Sequence, residues 1–178
     1  MKRLFDLAGA VGGLLFFSPI MGLVALAILF EDGRPVFFTQ ERLGEERRPF
    51  TILKFRSMRN GRVTRIGRVL RATGLDELPQ FINMLRGDMS AVGPRPLAEA
   101  DVMRLGWGTP RYDFRWRVPP GLTGLAQVFG PGGCRRSLLM DRLYIARRTM
   151  YLDVRLIALS FAINALGKKR VRALLLRR

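Results

Sequence analysis

The chain has 178 residues, a length that suits one compact domain with a short appendage. Its 31 Lys+Arg against 14 Asp+Glu leave a net charge of +17, so its natural partners are anions: phosphorylated small molecules, an acidic membrane surface or nucleic acid. The absence of His excludes Ser-His and Cys-His catalysis, and the single Cys134 excludes intrachain disulfides and multi-cysteine zinc sites, leaving hard ions on oxygen ligands, magnesium above all, as the metals to consider.

In chain order, the run from Leu7 to Phe30 carries no formal charge and is long enough, at about 1.5 Å per residue, to cross a bilayer core of roughly 30 Å. Lys2 and Arg3 precede it, while Arg34, Arg42, Arg47 and Arg48 follow, so the positive-inside rule draws both ends to the cytoplasm. Ser18-Pro19 lies at its middle, where the missing proline amide and the ring bend or break a helix. These features predict a re-entrant helix that breaks at Ser18-Pro19 and returns to the same face; the alternative is a kinked spanning helix.

Beyond it, residues 36–40 and Pro49–Phe55 read as short strands. The basic residues at 54, 56, 59, 62, 65, 68 and 71 have no acidic residue among them. Interleaved with Val63, Ile66, Val69 and Leu70, this band predicts an amphipathic interfacial helix over 62–72, or else a solvated basic face. Leu75, Leu78, Phe81, Ile82 and Leu85 recur at helical spacing with Pro79 in the first turn, which puts Asp76-Glu77 at a helix start. Gly87 ends that helix, and a polar loop is predicted for the segment GDMSAVGPRPL; Pro119 to Gly133 is a second turn-rich stretch. Further helices are expected over 136–148 and 151–166, the latter interfacial or core. The tail from Lys168 reads as an amphipathic surface segment or a frayed basic end.

The chemistry concentrates at Asp76-Glu77. An aspartate can attack phosphorus, although acidic residues at a helix start also serve simply as caps. Arg71, Lys54 and Arg56 would be needed to neutralise a diphosphate. No phosphate-binding loop of the G-x-x-x-x-G-K-[ST] type is present, so triphosphate hydrolysis has no motif behind it. Gly93-Pro94-Arg95-Pro96 can hold a guanidinium in a fixed orientation, or form an ordinary surface turn. The segment PGLTG, with Thr123, has the same ambiguity. Asp141 and Tyr144 fall one helical turn apart and either present a carboxylate and a phenol together or pack that helix.

Taken together, Ser18-Pro19, KFRSM at 54–58, RIGRVLRATGLDELPQFINMLRGDMSAVGPRP at 65–96, PPGLTGLAQV at 119–128 and DRLYI at 141–145 resemble, in order and over nearly the whole chain, the bacterial sugar transferases that are monotopic phosphoglycosyl transferases. Gly74, Ala91 and Leu125 depart from the Ser, Leu and Trp most often found there. The resemblance implies an α+β, mostly helical monotopic fold with an N-terminal re-entrant helix, amphipathic interfacial helices and little strand. Residues 1–32 would form the anchor, and 33–178 a catalytic region continuous with it as one domain. It further implies transfer of a phosphosugar from a UDP-sugar to polyprenol phosphate at the cytoplasmic face of the bacterial inner membrane. Asp76 would be the nucleophile and Glu77 its dyad partner, both beside Mg2+. Substrate would be held by Lys54, Arg56, Arg71, Pro94, Arg95, Pro96, Thr123 and Asp141. Membrane lipids are expected partners, nucleic acid is not, and a homodimer is compatible with the family. The competing readings are a membrane-anchored basic nucleic-acid-binding module and an inactive scaffold.

Overall fold

Residues 2–32 form one helix, α1 (Lys2–Asp32), in the computed structural model, which describes residues 1–129 and 133–166. Helical backbone runs up to and past Pro19, which sits inside the element. The local reason is Ser18, whose hydroxyl donates to the Leu15 carbonyl at 2.9 Å. That carbonyl is the one the Pro19 amide would have satisfied, so the serine replaces the missing donor. Most of the helix is bare. In its apolar window, of mean hydropathy 2.4, 11% of residues are buried, and Leu15, Phe16, Leu23 and Phe30 stand exposed.

Both ends of α1 are nonetheless fastened to the same body. At the N-terminal end Lys2 pairs with buried Asp153 at 2.6 Å and Arg3 donates to the Met84 and Leu85 carbonyls. Buried Asp6 accepts from the Ser90 hydroxyl and the Ala91 amide. At the other end Asp32 pairs with Arg56 and Arg59.

After α1 comes an antiparallel hairpin of β1 (Phe37–Leu43) and β2 (Pro49–Phe55), in register Phe38 to Lys54 and Gln40 to Ile52. The first strand starts one residue later than expected and runs further; the second matches the expected range. Ile52 and Phe55, three residues apart, bury on opposite faces of the strand in two different core clusters, and Lys54 shares the face of Ile52 nearer the strand's end. In a two-residue ribbon of β3 (Met58–Arg59) with β4 (Arg62–Val63), the second strand occupies what the sequence suggested was the start of a helix. That helix, α2 (Arg65–Thr73), begins where Thr64 caps the Gly67 amide, and Glu31 of α1 accepts from the Arg65 and Ile66 amides, satisfying further first-turn donors.

Gly74, with φ 76°, ends α2 and leads into a 3-10 turn, Leu75–Glu77, just ahead of α3 (Gln80–Arg86). Asn83, fully buried, joins α3 to the free edge of β2: its amide donates to the Thr51 carbonyl at 2.7 Å and its carbonyl accepts from the Leu53 amide at 3.0 Å. The side chain imitates a neighbouring strand, and this fixes Lys54 above the turn that carries the acidic pair.

The polar loop expected after Gly87 instead contains a buried strand, β5 (Ser90–Val92). It is followed by α4 (Glu99–Arg104) and a 3-10 segment, Pro110–Trp116, and it pairs in parallel with β6 (Gly121–Thr123). Two glycines make this pairing feasible. A Cβ on Gly121 would lie 1.9 Å from the Gly93 nitrogen, and one on Gly93 would lie 2.4 Å from the Pro119 oxygen. Three helices complete the fold: α5 (Leu125–Phe129), α6 (Gly133–Arg147) and α7 (Met150–Leu166). Met84, Met89, Val92, Tyr144 and Leu156 form the main core, and Val24 and Ile28 of α1 join Phe55, Leu70 and Leu78 in a second cluster. The basic tail from Lys168 lies outside the described residues.

Candidate active site

The 3-10 turn, the end of β2, the end of α2 and the β5–β6 loops converge on a cavity of about 490 Å³. Asp76 and Glu77 line it, together with Lys54, Arg56, Arg71, Arg95 and Thr123, so most of the residues singled out from sequence meet in one place. The Lys54 ammonium donates to the Glu77 carboxylate at 2.5 Å. Burial pushes the Asp76 carboxyl above the ordinary carboxylate range, with the Glu77 charge adding to the effect and Lys54 and Arg71 opposing it. The pair is therefore divided. Glu77 carries the lysine as its counter-ion, while Asp76, half-buried and more basic than usual, has no ion-pair partner among the described residues.

Arg71 and Arg95 reach the cavity without a carboxylate in salt-bridge range among the described residues, leaving two guanidiniums for an anionic ligand. Arg95 is exposed between Pro94 and Pro96, both buried, so its backbone is held while its side chain is available. Pro96 lines a small adjoining recess with Arg42 and Gln80, and Pro94 faces Arg115 and Trp116 on the far side of the loop. Arg56 touches the cavity but is already engaged, donating to the Asp32 and Gly33 carbonyls as well as pairing with the Asp32 carboxylate. Thr123 is 7% exposed, and its hydroxyl has no hydrogen-bond partner, an unusual condition for a buried polar atom and one a bound ligand would relieve.

Asp141 is placed elsewhere. It is buried on α6, where its carboxylate accepts from Arg115 Nε at 2.8 Å, and Arg115 in turn donates to the Arg95 carbonyl at 2.6 Å. Asp141 does not line the cavity; it acts two steps removed, through the loop that presents Arg95. Tyr144, one turn along, is likewise a core group, donating to the Val92 carbonyl and pairing with Asp153. The sequence reading missed Arg115, and it missed Gln127, Ser160 and Asn164, which also line the cavity. Arg115 carried a weak signal, since its neighbours Trp107 and Trp116 stack on its guanidinium. Ser160 and Asn164 carried none, being ordinary polar residues in an apolar helix.

Among the described residues no group of three acidic, His or Cys side chains could enclose a metal. The donor set at the site is two adjacent carboxylates. That suits magnesium, which keeps several waters and takes remaining ligands from substrate phosphates, and it does not suit zinc or a caged calcium ion.

The fold and site define a class: a single α+β chain with a long exposed apolar helix and a cationic cleft built around an adjacent Asp-Glu pair. Residues 1–166 match the family model described as bacterial sugar transferase, and the chain belongs to that family. It is 42% identical over 185 residues to the undecaprenyl-phosphate glucose phosphotransferase of Komagataeibacter xylinus, an alignment covering 89% of this chain and 35% of that protein. It is 42% identical over 166 residues to the UDP-glucose:undecaprenyl-phosphate glucose-1-phosphate transferase of Caulobacter vibrioides, covering 85% and 62%. The exopolysaccharide production protein PSS of Rhizobium leguminosarum bv. phaseoli is 36% identical over 184 residues, covering 88% and 91%. The chain thus spans less than two thirds of the first two relatives and about nine tenths of the third.

Proposed function

We propose that the chain transfers a phosphosugar from a UDP-sugar to polyprenyl phosphate by way of a covalent Asp76 intermediate. The observation that carries this reading is the meeting of Asp76 and Glu77 with Lys54, Arg71, Arg95 and Thr123 in one cavity of a bacterial sugar transferase. Relatives are named for transfer of glucose-1-phosphate or N-acetylgalactosamine phosphate to undecaprenyl phosphate.

In the first step an Asp76 oxygen bonds to the sugar-linked phosphorus while the bond from that phosphorus to the bridging oxygen breaks, and the bridging oxygen departs with UMP. In the second step a phosphate oxygen of the acceptor bonds to the same phosphorus and the bond to Asp76 breaks. Polyprenyl-diphosphate-sugar forms and the carboxylate is regenerated, with no net proton change. Such chemistry asks for in-line placement and charge neutralisation more than for proton transfer, which Arg71, Arg95 and Lys54 supply without histidine. Burial leaves the Asp76 carboxylate lightly solvated and more basic than usual. Asp76 and Glu77 are the residues that would hold Mg2+, which when bound would share the neutralisation of the diphosphate.

The bare apolar surface of α1 calls for a hydrocarbon environment, since exposing it to water would cost roughly 25 cal/mol per Å2. With both ends of α1 tied to one body, the reading is a monotopic protein of the bacterial inner membrane, entered from the cytoplasmic face, beside an acceptor that cannot leave the bilayer. Cysteine labels at Lys2 and at Arg34 are expected to react from the cytoplasmic side only; labelling of either from the periplasm would establish a crossing helix. For the chemistry, Asp76→Asn is expected to lower UMP release more than about 1,000-fold, as loss of a covalent nucleophile does. Near-normal turnover in that variant, or an adduct from labelled donor mapping to another residue, would defeat the mechanism.

A further inference from the structure

The small recess that adjoins the main cavity has a volume of about 20 Å³. Lys54, Glu77, Arg95, Leu122 and Gln127 line both spaces, whereas Arg42, Ile52 and Gln80 line the recess alone. Three buried polar atoms of its wall residues have no hydrogen-bond partner: Arg42 Nε, Gln80 Nε2 and Gln127 Oε1. Gln80 is the most enclosed, at 2% exposure, and opens α3 just beyond the turn that carries Asp76 and Glu77. The charged wall residues Arg42 and Lys54 already have counter-charges, in Asp101 at 3.3 Å and in Glu77. Gln127 has room because residue 124 is glycine: a Cβ there would lie 2.7 Å from Gln127 Oε1. Buried polar groups are almost always paired, so three such atoms around one small space mark it as a seat for a polar guest.

We infer that this recess reads one hydroxyl group of the hexose on the donor, with Gln80 and Gln127 as the residues that decide which hexose is accepted. The inference rests on the transfer reading for the identity of the donor. Size and hydrogen-bond sense specify the guest. A space of about 20 Å³ holds one water-sized group and excludes a phosphate, a sugar ring or a nucleobase. A hydroxyl oxygen accepts two hydrogen bonds and its proton donates one; the walls offer two donors, Arg42 Nε and Gln80 Nε2, and one acceptor, Gln127 Oε1. Location specifies the part of the donor. Glu77, next to the attacking Asp76, lines the recess together with its partner Lys54. In the transfer the hexose is joined through its own oxygen to the phosphorus under attack, whereas the uridine lies beyond the bridging oxygen and a second phosphate. A hexose hydroxyl can therefore enter beside the acidic pair while the ring stays in the main cavity. A donor lacking that hydroxyl leaves the wall atoms without partners, a penalty that discriminates more sharply than a missing methylene in an apolar pocket.

The test is equilibrium binding to the full chain in lipid nanodiscs, in the Asp76→Asn background so that no bond is broken. The probes are UMP, whichever of UDP-glucose and UDP-N-acetylgalactosamine binds tighter, and the analogues of that donor lacking each hexose hydroxyl in turn. One analogue is expected to bind about thirtyfold more weakly than the donor, and the others within about threefold of it. Gln80→Met, which keeps the side-chain volume, is expected to weaken the donor about tenfold, to leave UMP unchanged and to bring the donor and the singled-out analogue to nearly equal affinity. Gln127→Met is expected to do the same. Equal losses of donor and UMP in both variants would assign the effect to the ribose or to the fold and overturn the inference. So would a series in which no analogue stands out, discrimination that survives both substitutions, or variants that bind the donor as tightly as the parent, which would mean that the recess holds water only. The two readings fail separately: UMP release by the chain with Asp76 intact, together with no discrimination among the analogues, overturns the recess alone, and the expected discrimination with no UMP release from any UDP-sugar overturns the transfer reading alone.

Discussion

Replacing Asp141 by Asn separates two accounts of the same residue. If it binds substrate, as its motif suggests, the variant loses activity and keeps its stability. The structure leads to the opposite expectation. Asp141 and Arg115 are 4% and 3% exposed in their side chains and 2.8 Å apart, so the substitution keeps the shape but leaves a guanidinium buried without its counter-ion. Burial already pushes the Asp141 carboxyl above the ordinary range even with Arg115 beside it, so the fold holds the pair together at a cost, and the penalty lies in separating it. Breaking a buried pair by removing one partner costs about 3–5 kcal/mol. For a chain of this size each kcal/mol lowers the melting temperature by about 2–4 °C, which gives a fall of roughly 6–20 °C. Thermal unfolding of the full chain in detergent measures it. A double replacement, Arg115→Met with Asp141→Leu, is expected to recover most of the loss, because no unpaired charge remains. The double variant also removes the Arg115 donor to the Arg95 carbonyl, so its donor KM is expected to rise, whereas Asp141→Asn keeps that donor. An Asp141→Asn protein that melts like the parent yet is inactive would refute this placement, as would a double variant no more stable than the single.

Because the folded-state pKa of Asp76 is raised, its protonated form is favoured by folding: that contribution is present below the unfolded value near 3.8 and is lost as pH rises through the folded value. Asp76→Asn is accordingly expected to melt higher than the parent at neutral pH while being inactive. A carboxyl carbon NMR titration of the metal-free protein places the Asp76 midpoint above 3.8, and Glu77→Gln moves it down, since the Glu77 charge is one cause of the rise; an unmoved midpoint contradicts that electrostatic assignment. At the Ser18-Pro19 step, Ser18→Ala orphans the Leu15 carbonyl and is expected to cost about 1–3 kcal/mol. In a Pro19→Ala background the restored amide makes Ser18→Ala nearly neutral, so a double-mutant cycle in which the two effects simply add would disprove the replacement of one donor by the other.

Sequence alone determined what depends on local chemistry. The uncharged run could be nothing but a long apolar helix, the alternation and β-branching of PFTILKF made a strand of it, and the glycines at 74 and 87 ended helices where left-handed backbone was required. The family motifs already contained Lys54, Arg71, Asp76, Glu77, Arg95 and Thr123, since residues that share one chemistry are written in recognisable words. What could not be read was anything set by distant neighbours. Residues 88–97 are polar and rich in turns, and read as a loop, but β5 buries there because β6, some thirty residues further on, offers a partner that approaches closely only through Gly93 and Gly121. At Pro19 the Leu15 carbonyl takes its hydrogen bond from the preceding side chain, Ser18. Asp141 looked like a ligand and is paired with Arg115, while Ser160 and Asn164 came to the cavity solely because α7 packs against α2, β5 and β6. Local propensity is a property of a few adjacent residues; burial, pairing and the company a side chain keeps are decided only when the whole chain has closed on itself.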